Sequence, residues 1–354
     1  MSQKPSYRIA VYPGDGIGQE VTPLAFDVLH RAVGDQVELD CTEFPWGVDY
    51  YLEHGSPTPP DYIEQLRPFD AIYLGAVGAP NQMPDPVSLE PPVRIRQAFD
   101  QYACLRPALL LDGVQSPLAG MEPRAIDLLV VRENSEGEYV NQGGRFRQGE
   151  PDEIAVQSAI HTRAGVTRIL RFALEQARSR RQHLTMVTKS NAQKYSFVLW
   201  EEVLEELVPE YPDVRTDRLY VDAAAMDLVR RPRDFDVIVS SNLFGDILSD
   251  LAAMVVGGLG MAPSANIRPD RGAPSMFEPV HGSAPDIAGK GIANPTAAIL
   301  SAAMMIEWLG HAEPAERMRA ACEQALAGGA RTPDIGGTLS SARFAEQVTE
   351  RLAV

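Results

Sequence analysis

Short apolar runs alternate along the chain with longer stretches in which apolar residues recur every three to four positions, the two periods that separate strands from helices. The runs Arg8–Tyr12, Val37–Phe44, Ala71–Leu74, Leu128–Val131, Leu184–Thr188, Leu219–Val221 and Val237–Ser241 predict strands. Helical spacing predicts helices over Gln19–Ala32, Thr162–Ser179, Ala192–Leu207, Asp246–Val255, Pro295–Leu309, Pro314–Ala327 and Ser340–Leu352. Strands that alternate with helices pair through crossovers, so the chain reads as α/β with a substantial parallel sheet.

The pattern breaks between Asn141 and His161. Turn signals at Gln142-Gly-Gly144 and Gln148-Gly-Glu-Pro151 separate two strand-like pieces, which predicts a projecting hairpin outside the main sheet. The proline-rich patches Ser56–Pro60 and Pro84–Pro92 read as ordered loops beside a site, and the short, glycine-rich run Ala252–Ala262 as buried core. No repeat, low-complexity tract or long linker is present, so any two domains must share strands or pack closely.

Composition narrows the function by exclusion. The chain has 354 residues, 45% hydrophobic and 23% charged, as a soluble enzyme of one or two domains would. Lysine and arginine number 32 against 48 aspartates and glutamates, a net charge of −16, which argues against a nucleic-acid partner. Three scattered cysteines, Cys41, Cys104 and Cys322, make neither a disulfide framework nor a zinc pattern. The opening residues lack the apolar core of a signal peptide, and no apolar stretch is long enough to span a bilayer. A cytoplasmic protein is expected.

An acidic protein that binds an anion must gather its few arginines. Arg94, Arg96 and Arg106 surround Phe99-Asp-Gln-Tyr102, and Arg132 follows the strand Leu128–Val131, where α/β sites form. After Arg132 comes Glu-Asn-Ser-Glu-Gly-Glu-Tyr139, whose tyrosine is either a proton donor beside a cation or a cap on an apolar edge. Lys189 also follows a strand; it is a base or relay if desolvated, and otherwise a surface lysine. Asp246 and Asp250 sit four apart on one predicted helix face, where two carboxylates repel unless a divalent cation binds both. The plainer alternative is a first helical turn whose acids complement the helix dipole. Asp222, after Leu219–Val221, is a helix N-cap or a third carboxylate for that cation.

Two glycine-rich segments complete the inventory. Tyr12-Pro-Gly-Asp-Gly-Ile-Gly18 ends a strand and opens a helix, a setting for an anion or nucleotide, or a plain tight turn. The run from Glu278 to Asn294 is dense in small and turn-forming residues; such a loop can wrap an adenosine, with Asp286 accepting from ribose hydroxyls and disfavouring a 2′-phosphate.

Together these motifs resemble the β-decarboxylating dehydrogenases, the family of isopropylmalate, isocitrate, homoisocitrate, tartrate and D-malate dehydrogenases. The resemblance spans nearly the whole chain and is most specific at Asn242–Asp250 and Glu278–Asn294. It implies a two-domain isopropylmalate dehydrogenase-like α/β fold: a large mixed sheet shared between domains, flanked by helices, with a projecting dimerisation hairpin. Residues 1–100 and 257–354 would form the larger domain with the adenosine loop. Residues 101–256 would form the smaller one, with substrate and metal residues and the hairpin at about 141–161.

The resemblance also implies oxidation of a D-malate-type 2-hydroxy acid with loss of CO2, using NAD and Mg2+ or Mn2+. Arg96, Arg106 and Arg132 would hold the substrate carboxylates, and Asp222, Asp246 and Asp250 the metal. Lys189 would help remove the hydroxyl proton, with Asp222 beside it, and Tyr139 would protonate the enol. Gly282, Ser283, Ala284, Asp286 and Asn294, with His281, would face the adenosine half of NAD, and Glu278 would lie nearer the nicotinamide. Lys189 and Asp222 would reach into a partner's site, implying a homodimer.

Arg132–Tyr139, Thr188-Lys-Ser-Asn-Ala-Gln193, Phe99-Asp-Gln-Tyr102 and Trp46-Gly-Val-Asp-Tyr-Tyr51 look like the tartrate and D-malate branch, whereas Leu89-Glu-Pro-Pro92 departs from its pattern. A 3-isopropylmalate dehydrogenase of leucine biosynthesis is the alternative within the family, a catalytically silent regulatory subunit one outside enzymology, and a nicotinamide-independent metal lyase a third.

Overall fold

The computed structural model describes residues 4–352. The first part of the chain runs β1 (Ser6–Gly14), α1 (Gly18–Val33), β2 (Glu38–Glu43), α2 (Val48–His54), α3 (Tyr62–Leu66), β3 (Ala71–Ala76), α4 (Asp85–Ala98) and β4 (Ala103–Leu109). The middle holds β5 (Asp127–Glu133), β6 (Gly143–Phe146), β7 (Ile154–Gln157), α5 (Arg163–Arg178), β8 (His183–Thr188), α6 (Ser196–Leu207), β9 (Arg215–Tyr220), α7 (Val221–Arg230), β10 (Val237–Ser240) and α8 (Asn242–Val255). The chain ends with β11 (Pro263–Ile267), β12 (Ser275–Pro279), α9 (Thr296–Trp308), α10 (Ala312–Ala327) and α11 (Ser341–Arg351). Ten of the strands make one large mixed sheet flanked by helices, and β6 pairs with β7 in a two-stranded sheet of their own.

The chain divides into two compact units. The first comprises Met1–Gln101, Arg106–Asp127 and Ala252–Val354; the second comprises Tyr102–Leu105 and Leu128–Leu251. In the first, the strand order is β2-β1-β3-β12-β11, parallel except for the antiparallel pair β11–β12. Its core gathers Tyr12, Phe44, Trp46, Leu66, Phe69, Ile72, Ile95 and Phe99. Helix α9 is buried on nearly every face, as a sequence with Glu307 as its one charged residue allows.

In the second unit, β5, β10, β8 and β9 lie side by side and parallel. Helix α5 covers one face with Val166, Ile169, Leu170, Ala173 and Leu174, all fully buried at helical spacing. Its start is fixed by Thr162, whose hydroxyl accepts from the Gly165 amide at 3.0 Å. The hairpin predicted over Asn141–His161 is present as β6 and β7, antiparallel with Gly143 opposite Gln157. It carries exposed apolar residues, Phe146, Ile154 and Val156.

Several local expectations need correction. Pro84–Pro92 is no loop: helix α4 runs through it from Asp85, with Pro91 and Pro92 inside. A proline there removes a helical hydrogen bond. Tertiary burial overrides that cost, since Pro91, Pro92, Ile95 and Phe99 all turn into the core. The helix predicted from Asp246 begins four residues earlier at Asn242, so Asp246 lies beyond the first turn and the dipole reading of its charge fails. Asp222 is not an N-cap either: Tyr220 occupies that position and Asp222 is the second helical residue of α7. Helix α6 starts at Ser196 rather than Ala192, because the amides of Ala192 and Gln193 both turn back to the Lys189 carbonyl.

Candidate active site

In the second unit, the candidate residues follow the C-terminal ends of parallel strands, where strand-to-helix connections leave side chains free to converge. Arg132 is the penultimate residue of β5 and lies opposite Ser240, the last of β10. Asn242 opens α8 two residues later, Lys189 follows β8, and Asp222 follows β9.

Arg132 is 2% exposed and enclosed by acceptors. Its Nε and Nη2 donate to Asn242 Oδ1 at 3.0 and 2.7 Å, and its Nη1 donates to Asp246 Oδ1. The other oxygen of Asp246 accepts from the Tyr139 hydroxyl at 2.6 Å, and the Arg132 guanidinium lies 5.2 Å from the Tyr139 ring centre. Asn242 Nδ2 donates to the Glu136 carbonyl at 3.0 Å, tying α8 to the loop that carries Tyr139. Buried Glu133 shapes that loop by accepting the Ser135 and Glu136 amides at 2.9 and 2.8 Å. Gly245 makes the crossing possible: a Cβ there would stand 2.7 Å from both Cβ and Cγ of Arg132.

Asp250 lies one turn beyond Asp246 on α8 and is exposed. Lys189 Nζ donates to Asp222 Oδ1 at 2.8 Å. That ammonium holds the Asp222 carboxyl below the usual carboxylate range, helped by the residue's own amide. Among the described residues no three histidine, cysteine, aspartate or glutamate side chains gather as a metal site within one chain. Of the expected metal ligands, Asp246 and Asp250 stand on α8 and Asp222 pairs with Lys189. Carboxylate oxygens are the donors that Mg2+ and Mn2+ prefer, so two acids on one helix face fit part of such a shell.

In the first unit, Arg94 is exposed beside Glu90 at 3.8 Å, a surface pair rather than part of a buried cluster. Arg96 is 8% exposed and its Nη2 donates to Glu278 Oε1 at 2.5 Å. Asn266 Nδ2 donates to the same oxygen at 2.7 Å. Arg96 Nε is buried with no hydrogen-bond partner among the described residues, the condition of a donor awaiting an acceptor. Arg106 is buried on β4.

The glycine-rich turn after β1 and the Glu278–Asn294 segment meet. Ile17 N donates to the Ser283 carbonyl at 2.8 Å, and a Cβ on Gly16 would fall 2.1 Å from that oxygen. Only glycine permits such an approach. Asp15 is buried; its two oxygens accept the Val48 and Gly78 amides at 2.7 and 2.8 Å, and burial raises its carboxyl above the usual range. The Ser283 side chain is buried, Gly282 and Asp286 are exposed, and Ala284 takes a left-handed φ of 40°. Burial lowers the His281 imidazole below its ordinary value, so it is neutral near pH 7. Its Nδ1 lies 3.0 Å from the Gly282 carbonyl, which can only accept, so the proton sits on Nδ1. Nε2 is then a buried acceptor with no partner among the described residues. Asn294 is occupied internally, accepting from Thr296 N at 3.0 Å and donating to Asp334 at 3.1 Å.

The sequence reading singled out most of these residues but missed the roles of Asn242 and Asp15. Asn242 stood inside the acidic motif, and its place just after a strand is the signal that it anchors something there. Asp15 carries no such signal, because its partners are backbone amides distant in sequence.

A family model described as isocitrate/isopropylmalate dehydrogenase matches residues 8–352. The chain is 47% identical over 352 residues to a probable tartrate dehydrogenase/decarboxylase of Agrobacterium vitis, covering 98% of each. It is also 47% identical over 352 residues to the decarboxylating D-malate dehydrogenase of Escherichia coli strain K12, covering 96% of this chain and 97% of that protein. Among solved structures, isocitrate dehydrogenase from Methylococcus capsulatus superposes with a TM-score of 0.89 at 37% identity, over 98% of this chain and all of that one. With the family model, the relatives and the fold in agreement, the chain belongs to the isocitrate/isopropylmalate dehydrogenase family.

Proposed function

We propose that the protein is an NAD- and divalent-metal-dependent dehydrogenase that oxidatively decarboxylates a D-malate-type 2-hydroxy acid, D-malate or tartrate, as a cytoplasmic homodimer. The observation that carries this reading is the linked set Arg132, Asn242, Asp246 and Tyr139, in which a buried cation, a phenol and a carboxylate share one hydrogen-bonded cluster. The names of the relatives, tartrate dehydrogenase/decarboxylase and D-malate dehydrogenase, support the substrate class.

The roles follow from the donors. Arg96, with an unmet Nε–H, and Arg106 and Arg132 bind carboxylates of the substrate. Asp246 and Asp250, with Asp222 of the partner subunit, hold Mg2+ or Mn2+. That ion, when bound, lowers the hydroxyl pKa and stabilises negative charge as CO2 leaves. Lys189 helps remove the hydroxyl proton: its neutral amine takes it, and the contact with Asp222 stabilises the ammonium so formed. Tyr139 gives a proton to the enol carbon, and the nearby guanidinium favours the phenolate left behind. NAD lies against Gly282–Asp286, with His281 Nε2 accepting from the nucleotide, Asp286 from ribose hydroxyls, Asn294 nearby and Glu278 nearer the nicotinamide. The first unit serves as the nucleotide domain and the second as the substrate, metal and dimer domain.

The test is NAD reduction by purified protein across D-malate, tartrate, 3-isopropylmalate and isocitrate, with Mn2+ and after chelation. Turnover is expected on D-malate or tartrate and lost on chelation. Preference for isopropylmalate by orders of magnitude refutes the substrate, and full turnover after chelation refutes the metal. No reduction with any acid points to the silent subunit, and pyruvate release from oxaloacetate without NAD points to the lyase. Replacing Asp286 by Lys is expected to weaken NAD and relatively favour NADP; an unchanged preference contradicts the role given to that residue.

A further inference from the structure

Helix α1 opens with Gly18, Gln19 and Glu20, and Glu20 is only half-buried. Its carboxylate does not reach back to cap its own helix. Glu20 Oε1 accepts the Gly289 amide and Oε2 accepts the Gly291 amide at 3.0 Å. Both glycines take left-handed φ values, 77° and 62°, which aim two amides two residues apart at one point. Such a concavity of backbone donors is an anion-binding shape, and beside Lys290 it invites a phosphate reading. Here a side chain fills it. A second tether acts on the same stretch, since the Ser341 amide donates to the Gly291 carbonyl at 2.9 Å. A third acts upstream, where Ile17 N holds the Ser283 carbonyl.

We infer that Glu20 is a positioning residue for the dinucleotide: by clamping Gly289 and Gly291 it fixes the downstream end of the loop that presents Ser283 to Asp286, while Ile17 fixes the upstream end. This inference rests on the cofactor role proposed for that loop. The glycine-rich turn and the first turn of α1 then serve as a dock for the nucleotide loop, and their amides and carboxylate are spent on protein rather than on phosphate. Glu20 itself touches no reacting atom. Its removal loosens the cofactor without altering the chemical step.

The experiment measures NAD dissociation by fluorescence titration, steady-state kinetics and amide exchange over residues 284–291, in the wild type, Glu20→Ala and Glu20→Gln. Alanine removes both acceptors, while glutamine keeps one oxygen at similar size. NAD affinity is expected to fall about tenfold in Glu20→Ala, the loss of two charge-assisted bonds offset by the second tether, and less in Glu20→Gln. Turnover at saturating NAD should stay within about twofold and KM for the hydroxy acid should not move. Faster exchange at 289 and 291 should accompany the weaker binding. Wild-type NAD affinity in Glu20→Ala overturns the inference, as does a fall in turnover with affinity unchanged. If the alanine variant fails to fold, the glutamine variant decides on the same criteria. A wild type that binds no NAD sinks the cofactor reading and the role of Glu20 with it, whereas NAD binding indifferent to residue 20 sinks the clamp alone.

Discussion

The phenol of Tyr139 and the ammonium of Lys189 are each held by an aspartate, yet the two pairs differ in kind. Tyr139 donates into a carboxylate already neutralised by buried Arg132, whereas Lys189 meets Asp222 in a single ion pair with solvent nearby. Proton transfer by a positioned side chain is worth about 10²-fold or more in rate. Tyr139→Phe and Lys189→Ala are each expected to cut kcat by about that factor with KM for NAD nearly unchanged, as steady-state kinetics would register. The two lowered imidazoles give a separate expectation. His161, desolvated and accepting from Trp200 Nε1 at 3.1 Å, and His281 both titrate below the ordinary 6.5 in the folded chain. A depressed value means the unfolded chain binds protons first. Their contribution to stability is thus complete above about pH 6.5 and is lost as pH falls through the folded values. Thermal unfolding between pH 7 and 5 should show this slope, and His281→Gln should flatten it.

At the scale of elements, α8 sets two effects of glycine against each other. Gly245→Ala would raise helix propensity by about 1 kcal/mol. It would also press a methyl to 2.7 Å from the Arg132 stem and 2.9 Å from Ser240 Oγ, and overpacking of this kind costs about 1–3 kcal/mol. The clash is expected to win: the variant should unfold at lower denaturant and bind the hydroxy acid more weakly as Arg132 is displaced. The same helix explains what the sequence made legible. Asp246 and Asp250 needed only a period of 3.6 to be placed on one face, and strands β1, β5, β8 and β10 announce themselves as apolar runs. Strands β11 and β12 went unread because Pro263-Ser-Ala-Asn-Ile267 and Ser275-Met-Phe-Glu-Pro279 are short and buried throughout, with no alternation to detect, and β4 because Arg106 and Pro107 interrupt its apolar run. Helix α4 was hidden by its own prolines, and α2 buries no residue that would mark its period. At the site, types and positions were readable, but the joint work of Asn242 and Glu20 was not, since it depends on which distant backbone groups need partners.

At the scale of the molecule, the proposed sharing of a site between subunits is testable, because Lys189 and Asp222 follow strands β8 and β9 while Asp246 and Asp250 stand on α8. Lys189→Ala and Asp246→Asn homodimers should each be inactive. Mixed and reassociated, they should recover on the order of a quarter of wild-type activity, because half the dimers then carry one intact site. No recovery despite verified subunit exchange would show that each chain works alone. Among the described residues no helix is long and apolar enough to cross a membrane.

The hairpin β6–β7 is hydrogen-bonded as a sheet of its own, with its apolar residues turned outward. A ribbon with no strand partner in the main sheet can be swapped for a relative's ribbon without disturbing a single register there. If the proposed dimer pairs through this ribbon, exchanging it for a relative's should change which chains associate, and unchanged association would assign the pairing to another face.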